Sequence, residues 1–346
     1  VRTTEHLAMD ALWEAESEII RWLQGLTEGL APLLGAVTFL GSQGVIIVLL
    51  VTVFWCFHAG LGARLFVAVI ASAVVNNLLK SVLYGSRPYW FDARVTGHAQ
   101  HGSFGMPSGH SQAAVVTYGY LAARSGRRGL VWAAVAVIAL VALSRVLLGA
   151  HYFSDVVVGL AVGGGLLWLV LRYEDRVLAW WLSLDTVRWV SYLLVAALVP
   201  CVVAIVWQTI VRGDWVVPTT EWIGATPADP AGHTLVGLHT TCGALLGGVL
   251  GFTLLYRRGW YSAEGTVTAR AARFVLGISV VVLILVVDRV LFRDLEGLPS
   301  ALVSFLVYGA VALWASFGAP EMFVRGGLAR RPEPPSREGT SASGTQ

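Results

Sequence analysis

Nine apolar runs dominate this chain, at 43–58, 62–83, 108–123, 130–148, 154–172, 189–211, 235–256, 274–292 and 299–318. A hydrocarbon core about 30 Å thick needs roughly 20 apolar residues of helix to cross it, and these runs reach that length or fall slightly short of it. With 56% hydrophobic and 13% charged residues, the chain is too apolar for an ordinary soluble domain. The expected fold is all-α, a polytopic integral membrane helix bundle of about nine transmembrane helices. The run at 108–123 is short and opens on polar residues, Ser108, His110, Ser111 and Gln112.

The runs divide the chain. Residues 1–42 mix Glu5, Asp10, Glu14, Glu16 and Glu18 with Leu7, Leu12, Trp13, Ile19, Ile20, Trp22 and Leu23, the pattern of an amphipathic helix on a membrane surface, ended by Pro32. Residues 43–188 form the expected core, and 189–325 add further membrane helices of no evident role. The Pro-, Ser- and Gly-rich stretch 326–346 is expected to be a disordered tail. The N-terminus lacks the features of a removable signal peptide, so the spans are expected to direct insertion. Cys56, Cys201 and Cys242 sit in apolar runs without ligand or pairing spacing and read as small hydrophobes.

Ionisable residues beside spanning segments are costly and need a partner or a function. The stretch Ser144 to Asp155 places Arg145, His151 and Asp155 between two apolar runs. If it is helical, His151 and Asp155 share a face, and the carboxylate fixes the imidazole tautomer. The basic residues are 23 arginines and one lysine, Lys80. Lys80 is followed after six residues by Arg87-Pro88, then by Pro107-Ser108-Gly109-His110, then by Ser144-Arg145, five residues, His151, three residues and Asp155.

This three-part pattern resembles the type 2 phosphatidic acid phosphatase superfamily, which includes lipid phosphate phosphatases, polyprenyl diphosphate phosphatases, glucose-6-phosphatase and vanadium haloperoxidases. All three parts match without substitution, and the resemblance covers about Lys80 to Gly165 together with the flanking spans, roughly the first half of the chain. The resemblance implies that His151 is the nucleophile, Asp155 its orienting partner and His110 the general acid. It also implies that Lys80, Arg87, Ser108, Gly109 and Arg145 hold phosphate oxygens.

The residue chemistry suits those roles. Phosphoryl transfer spreads charge over equatorial oxygens, which Arg87 and Arg145 meet with planar donors and Lys80 with a point charge. Pro107 to Gly109 read as a helix start, where free N–H groups favour an anion. One carboxylate among several cations is the opposite of a divalent-metal cage, so no metal and no cofactor is expected. The expected partners are a phosphorylated lipid and the surrounding membrane lipids, with no nucleic acid.

Other polar residues have plainer readings. His58 and Ser72 read as packing residues with satisfied hydrogen bonds. Asp92, Arg94, His98 and His101 read as solvated loop residues, and Arg127 and Arg128 as topogenic charges. Pro230-Ala231-Gly232-His233 imitates the second motif but lacks its serine and its companions. His233 and His239, six apart, are not read as a metal site. The glycines at 163–165 and 247–248 read as close-packing positions inside spans.

The leading reading is a membrane phosphatase that hydrolyses a lipid phosphomonoester or diphosphate through a phosphohistidine, the lipid being of the phosphatidic acid, phosphatidylglycerophosphate or polyprenyl diphosphate type. A lipid phosphotransferase or a glucose-6-phosphatase-like hydrolase uses the same residues. A lipid transporter with a phosphate-binding half is a further alternative, kept open by the C-terminal spans. With nine spans, 15 of the 24 basic residues fall near the connections opposite the motifs. The positive-inside rule then puts the motifs and the N-terminus on the extracytoplasmic face and the C-terminus in the cytoplasm.

Overall fold

The computed structural model describes residues 4–332, with side chains from residue 9. It is helical throughout; among the described residues no strand forms, and one isolated antiparallel bridge joins Ser262 and Arg330. The chain runs α1 (Thr4–Thr27), α2 (Ala31–Phe39), α3 (Gln43–Thr52), α4 (Ala59–Leu83), α5 (Pro88–Phe91), α6 (Gly109–Ser125) and α7 (Arg128–Leu147). It continues through α8 (Phe153–Ser183), α9 (Thr186–Val206), α10 (Pro230–Arg257), α11 (Val267–Phe292), α12 (Gly297–Leu313) and α13 (Ala319–Arg325).

Eight helical segments among the described residues are long and apolar enough to cross a membrane, which makes this a multi-pass membrane protein. The ninth expected span is α6. At 17 residues it is about 26 Å long, just under the hydrocarbon thickness, because its first turn serves the polar cluster.

The N-terminal region differs from expectation. Pro32 does not end a surface helix; it lies in the first turn of α2, where its missing N–H costs nothing. The chain then continues through α3, so Met9–Phe57 forms one long apolar segment, interrupted by the turn at Leu40–Ser42. Nor does α1 only meet lipid. Trp13 and Ile20 are buried, while Ile19, Trp22 and Leu26 are exposed on the other side. The Trp13 ring stacks on Tyr152 at 5.9 Å, and the Glu16 carboxylate accepts from Ser154 N at 3.1 Å and Ser154 Oγ at 3.0 Å. Thus α1 is fastened across the start of α8.

The motif-bearing ends of α4, α6, α7 and α8 lie together. An aromatic cluster that includes Tyr84, Trp90, Phe104 and Trp222 covers them. It joins the segment between α4 and α6 to the one between α9 and α10, with Gly224 N donating to Trp90 O at 2.8 Å and the Trp90 and Trp222 rings 5.8 Å apart. At the other end, Glu174 is shared by Arg64 and Arg124, and Glu321 accepts from Arg331 at 2.7 Å. These charges sit where one face of the bundle meets water.

The C-terminal helices are integral to the bundle. Helix α10 lies between α4 and α12. Its approach to α12 is closer than any side chain allows: a Cβ on Gly243 would stand 2.0 Å from Phe305 O, and one on Gly247 1.9 Å from Gly309 O. The expected tail does not begin at 326. Leu328 and Ala329 pack in the core cluster around Phe323, and Arg331 pairs with Glu321. Residues 333–346 of that expectation lie outside the described residues.

Candidate active site

Each motif residue is placed by a helix terminus or a tight turn. Helix α7 ends at Leu147, and Gly149 reverses the chain with φ +66°. A Cβ at Gly149 would also stand 2.5 Å from Thr96 O. Both constraints require glycine two residues before His151. The chain then enters α8 with Tyr152 as N-cap, so Asp155 falls in its first turn, where Oδ2 accepts from Tyr152 N at 3.2 Å. His151 is therefore not on a helical face shared with Asp155. The pair forms across the cap, with His151 Nδ1 donating to Asp155 Oδ2 at 3.1 Å.

The other imidazole nitrogen fixes the tautomer. Arg87 Nη1 lies 3.3 Å from His151 Nε2, and a guanidinium can only donate. With a carboxylate on Nδ1 and a donor on Nε2, the proton sits on Nδ1 and the Nε2 lone pair faces the arginine. Burial first, and then Arg87, Lys80 and Arg145, drive the His151 basicity well below the ordinary imidazole range.

Three cations act on this histidine, each nearly inaccessible: Lys80 is 5% exposed, Arg87 2% and Arg145 0%. Backbone carbonyls hold the first two. Lys80 Nζ donates to Phe104 O and, at 3.0 Å, to Gly105 O. Arg87 donates to Ser103 O at 2.7 Å, Ala150 O at 2.9 Å and Phe104 O at 3.0 Å. Arg145 donates to Thr38 Oγ1 at 2.8 Å and His101 Nε2 at 2.9 Å, while its buried Nε lacks a partner.

Lys80, Arg87, Gly109, His110 and His151 all line one cavity of about 510 Å³. The start of α6 leaves the N–H groups of Gly109 and His110 without intrahelical acceptors. Ser108 does not line this cavity: it is fully buried, its hydroxyl lies 3.0 Å from Ser111 Oγ, and its backbone N–H donates to Asp155 O at 3.0 Å, which ties the start of α6 to α8. Arg145 lies behind the cavity wall and reaches it through His101.

His101 and Ser103, read from sequence as ordinary loop positions or not singled out, line the same cavity. The His101 and His110 rings are 5.7 Å apart. Burial first, then Arg87, Arg145 and Lys80, push His101 down to about 3. Asn76 and Gln112 brace the second motif, with Asn76 Nδ2 donating to Gln112 Oε1 at 2.9 Å and to Pro107 O at 3.3 Å. Asp92 and Arg94 instead pair with each other at 2.8 Å, away from the cavity, which holds the Asp92 carboxyl below its usual range. His233 packs its ring against Gly102, and His239 Nδ1 lies 2.9 Å from Leu235 O, so neither adds to the cluster.

Helices that cross a membrane and converge on a buried cationic pocket with a carboxylate-bound histidine define a membrane protein with a site whose charge suits an anion. The comparisons give its family. Residues 61–179 match the profile of the PAP2 superfamily, and residues 239–331 that of the PAP2 superfamily phosphatase transmembrane extension. The chain belongs to the PAP2 superfamily, the type 2 phosphatidic acid phosphatases. It is 37% identical over 111 residues to the lipid A 1-phosphatase of Rhizobium etli, covering 30% of this chain and 46% of the relative. It is 36% identical over 110 residues to the lipid A 1-phosphatase of Rhizobium johnstonii, covering 30% and 43%. The chain thus matches less than half the length of these curated relatives. A solved structure, the first transmembrane PAP2 type phosphatidylglycerolphosphate phosphatase from Bacillus subtilis, is 22% identical with a TM-score of 0.41, over 51% of this chain and 88% of that one.

Proposed function

We propose that this protein is a metal-independent membrane phosphatase that releases phosphate from a lipid phosphate ester through a phosphohistidine on His151. The observation that carries the reading is the His151 imidazole held between Asp155 and Arg87, with its Nε2 lone pair directed into a pocket that Lys80 and His110 share. Binding alone needs the cations but not an oriented, neutral imidazole.

Phosphate entering the pocket draws Arg87 Nη1 from Nε2 to a phosphate oxygen, where a charge-assisted bond is stronger. Nε2 then attacks phosphorus: the P–N bond forms as the P–O ester bond breaks, and His110 gives its proton to the departing lipid oxygen. Asp155 meets the positive charge that develops on the imidazole. Water, deprotonated by His110, next attacks phosphorus; the P–N bond breaks, inorganic phosphate leaves, and His151 returns to its neutral form. Lys80, Arg87 and the N–H groups of Gly109 and His110 stabilise the equatorial oxygens in both steps.

The lipid nature of the substrate is supported by the lipid A 1-phosphatase relatives and by the apolar helices that enclose the pocket. The arginine asymmetry supports an extracytoplasmic site, because the face opposite the pocket carries Arg64, Arg124, Arg258 and Arg331. Purified protein is expected to release inorganic phosphate from a lipid phosphate in the presence of chelator and to be inhibited by vanadate. His151→Ala is expected to abolish release while the protein still inserts and elutes as a single species. Turnover near wild type by folded His151→Ala would overturn the mechanism.

A further inference from the structure

The loop between α5 and α6 enters the site beside the three motifs. Its residues His101 and Ser103 line the cavity together with Lys80, Arg87, His110 and His151. The loop is held there from two sides. The Tyr89 hydroxyl donates to His101 O at 2.9 Å and accepts from His101 N at 2.7 Å. From the C-terminal half, Thr234 Oγ1 of α10 accepts from Phe104 N at 3.2 Å, and a Cβ on Gly102 would stand 2.7 Å from the His233 ring. The Pro230 to His233 stretch, which imitates the second motif, thus serves as a seat for this loop.

Behind each of the two side chains stands an arginine. Arg145 Nη2 lies 2.9 Å from His101 Nε2, and because a guanidinium only donates, the imidazole carries its proton on Nδ1. Burial and the neighbouring cations keep that ring neutral. Among the described residues His101 Nδ1 has no acceptor, yet it is not sealed from solvent, so on a ring that lines the cavity it opens onto the cavity. Arg87 Nη2 donates to Ser103 Oγ at 3.3 Å, which leaves the hydroxyl proton to be given elsewhere.

Resting on the phosphatase reading above, we propose that the His101–Ser103 loop is a fourth phosphate-binding element, in which His101 Nδ1–H and the Ser103 hydroxyl donate to phosphate oxygens. Arg145 then acts on phosphate through His101 rather than by touching it. A donor that itself accepts a bond from a cation is polarised and strengthened. Two neutral donors also meet the anion without adding a fourth buried charge to a pocket that already holds three cations.

The test measures binding of inorganic phosphate to purified protein in detergent by titration calorimetry, and kcat/KM for phosphate release from a short-chain phosphatidic acid in micelles. His101→Ala and Ser103→Ala are each expected to weaken phosphate about tenfold, the worth of one hydrogen bond to a charged group, and to lower kcat/KM at least as far. Asparagine puts an amide N–H where Nδ1–H stood but offers Arg145 nothing in place of Nε2. His101→Asn is therefore expected to recover most of the affinity that His101→Ala loses, which a merely structural role for the ring would not allow. Unchanged or tighter phosphate binding in the folded alanine variants would mean that Arg145 and Arg87 meet phosphate unaided, and would overturn the proposal while leaving the phosphatase reading intact. Equal losses in His101→Ala and His101→Asn would do the same. The expected binding pattern without phosphate release from any lipid phosphate would overturn the phosphatase reading and leave the anion site standing. No phosphate binding by wild type would overturn both.

Discussion

Replacing Asp155 with asparagine removes one charge and almost no volume, so its effect is readable in kinetic terms. Asp155 Oδ2 accepts from His151 Nδ1 at 3.1 Å, and both side chains are all but fully buried, at 1% and 2% exposed. When His151 Nε2 bonds to phosphorus, the ring gains a positive charge centred about 4 Å from the carboxylate, an interaction of about 4 kcal/mol at an effective dielectric of 20. The asparagine oxygen still accepts from Nδ1 and from Tyr152 N, which returns about 1 kcal/mol. The remaining 3 kcal/mol or so corresponds to a fall in kcat of about 10²-fold. Phosphate binding follows a different sign. Removing the carboxylate that backs His151, next to a pocket lined by Lys80 and Arg87 with Arg145 behind its wall, makes that pocket more positive, so KM is expected to stay level or fall. Initial rates of phosphate release in micelles, with elution volume and thermal unfolding as controls on folding, measure both quantities. A kcat within about fivefold of wild type, under about 1 kcal/mol of barrier, in a well-folded Asp155→Asn protein would refute the role given to its charge. So would a loss seen only in KM.

Arg87→Lys keeps the charge but loses the fork that meets Ser103 O, Phe104 O and Ala150 O. Thermal stability is expected to fall, each orphaned carbonyl costing about 1 kcal/mol, and kcat/KM for phosphate release to drop by more than about 10²-fold. His101 is held to about 3 against 6.5 for an ordinary histidine. Above 6.5 it is neutral in both states and contributes nothing to pH dependence; as pH falls from 6.5 towards 3, the unfolded chain takes a proton that the native site refuses, and stability is lost across that window. His101→Gln is expected to remove up to roughly 2 kcal/mol of that loss at pH 5, measured as a smaller drop in Tm between pH 7 and pH 5. In a background lacking Cys56, Cys201 and Cys242, a cysteine at exposed Asp214 is expected to react with an impermeant thiol reagent in intact cells. One at exposed Arg127 is expected to react only after lysis, and the reverse pattern would place catalysis in the cytoplasm.

The polar residues that proved legible were those whose chemistry is intolerable without a reason. Arg145, His151 and Asp155 stand out because they interrupt apolar runs, and the glycine pattern at 247 because α10 has to touch the α12 backbone. The geometry between elements was less legible. A separation of four residues fits a helical face and a pair bridging an N-cap equally well, and only the turn at Gly149 decides for the cap. Apolar and acidic residues at helical spacing suit a lipid surface as well as a protein one. The seat of α1 on Tyr152 and Ser154 is a tertiary fact that its own sequence does not encode alone. His101 looked like any loop histidine because its partner, Arg145, is 44 residues away and itself hidden. The deep part of the cavity was invisible for the same reason, since its lining comes from distant stretches in α3, α4, α10, α11 and α12 that are each largely apolar.

The pocket's charge balance joins these observations. Lys80, Arg87 and Arg145 are three buried cations, and Asp155 is the one carboxylate in direct contact with the histidine they surround. Buried charge of one sign is strongly unfavourable unless it is paired or solvated by dipoles. Here Ser103, Phe104, Gly105 and Ala150 turn their carbonyls inward to solvate Lys80 and Arg87. Ser103, Phe104 and Gly105 belong to the loop before α6 and Ala150 to the turn between α7 and α8, both held in place by the aromatic cluster and α1. The covering layer is thus electrostatic equipment as much as a lid. It holds the cations in position without a ligand, so that, under the proposed function, a phosphate dianion would replace solvation by dipoles with direct charge pairing and little reorganisation would be needed at the moment of transfer.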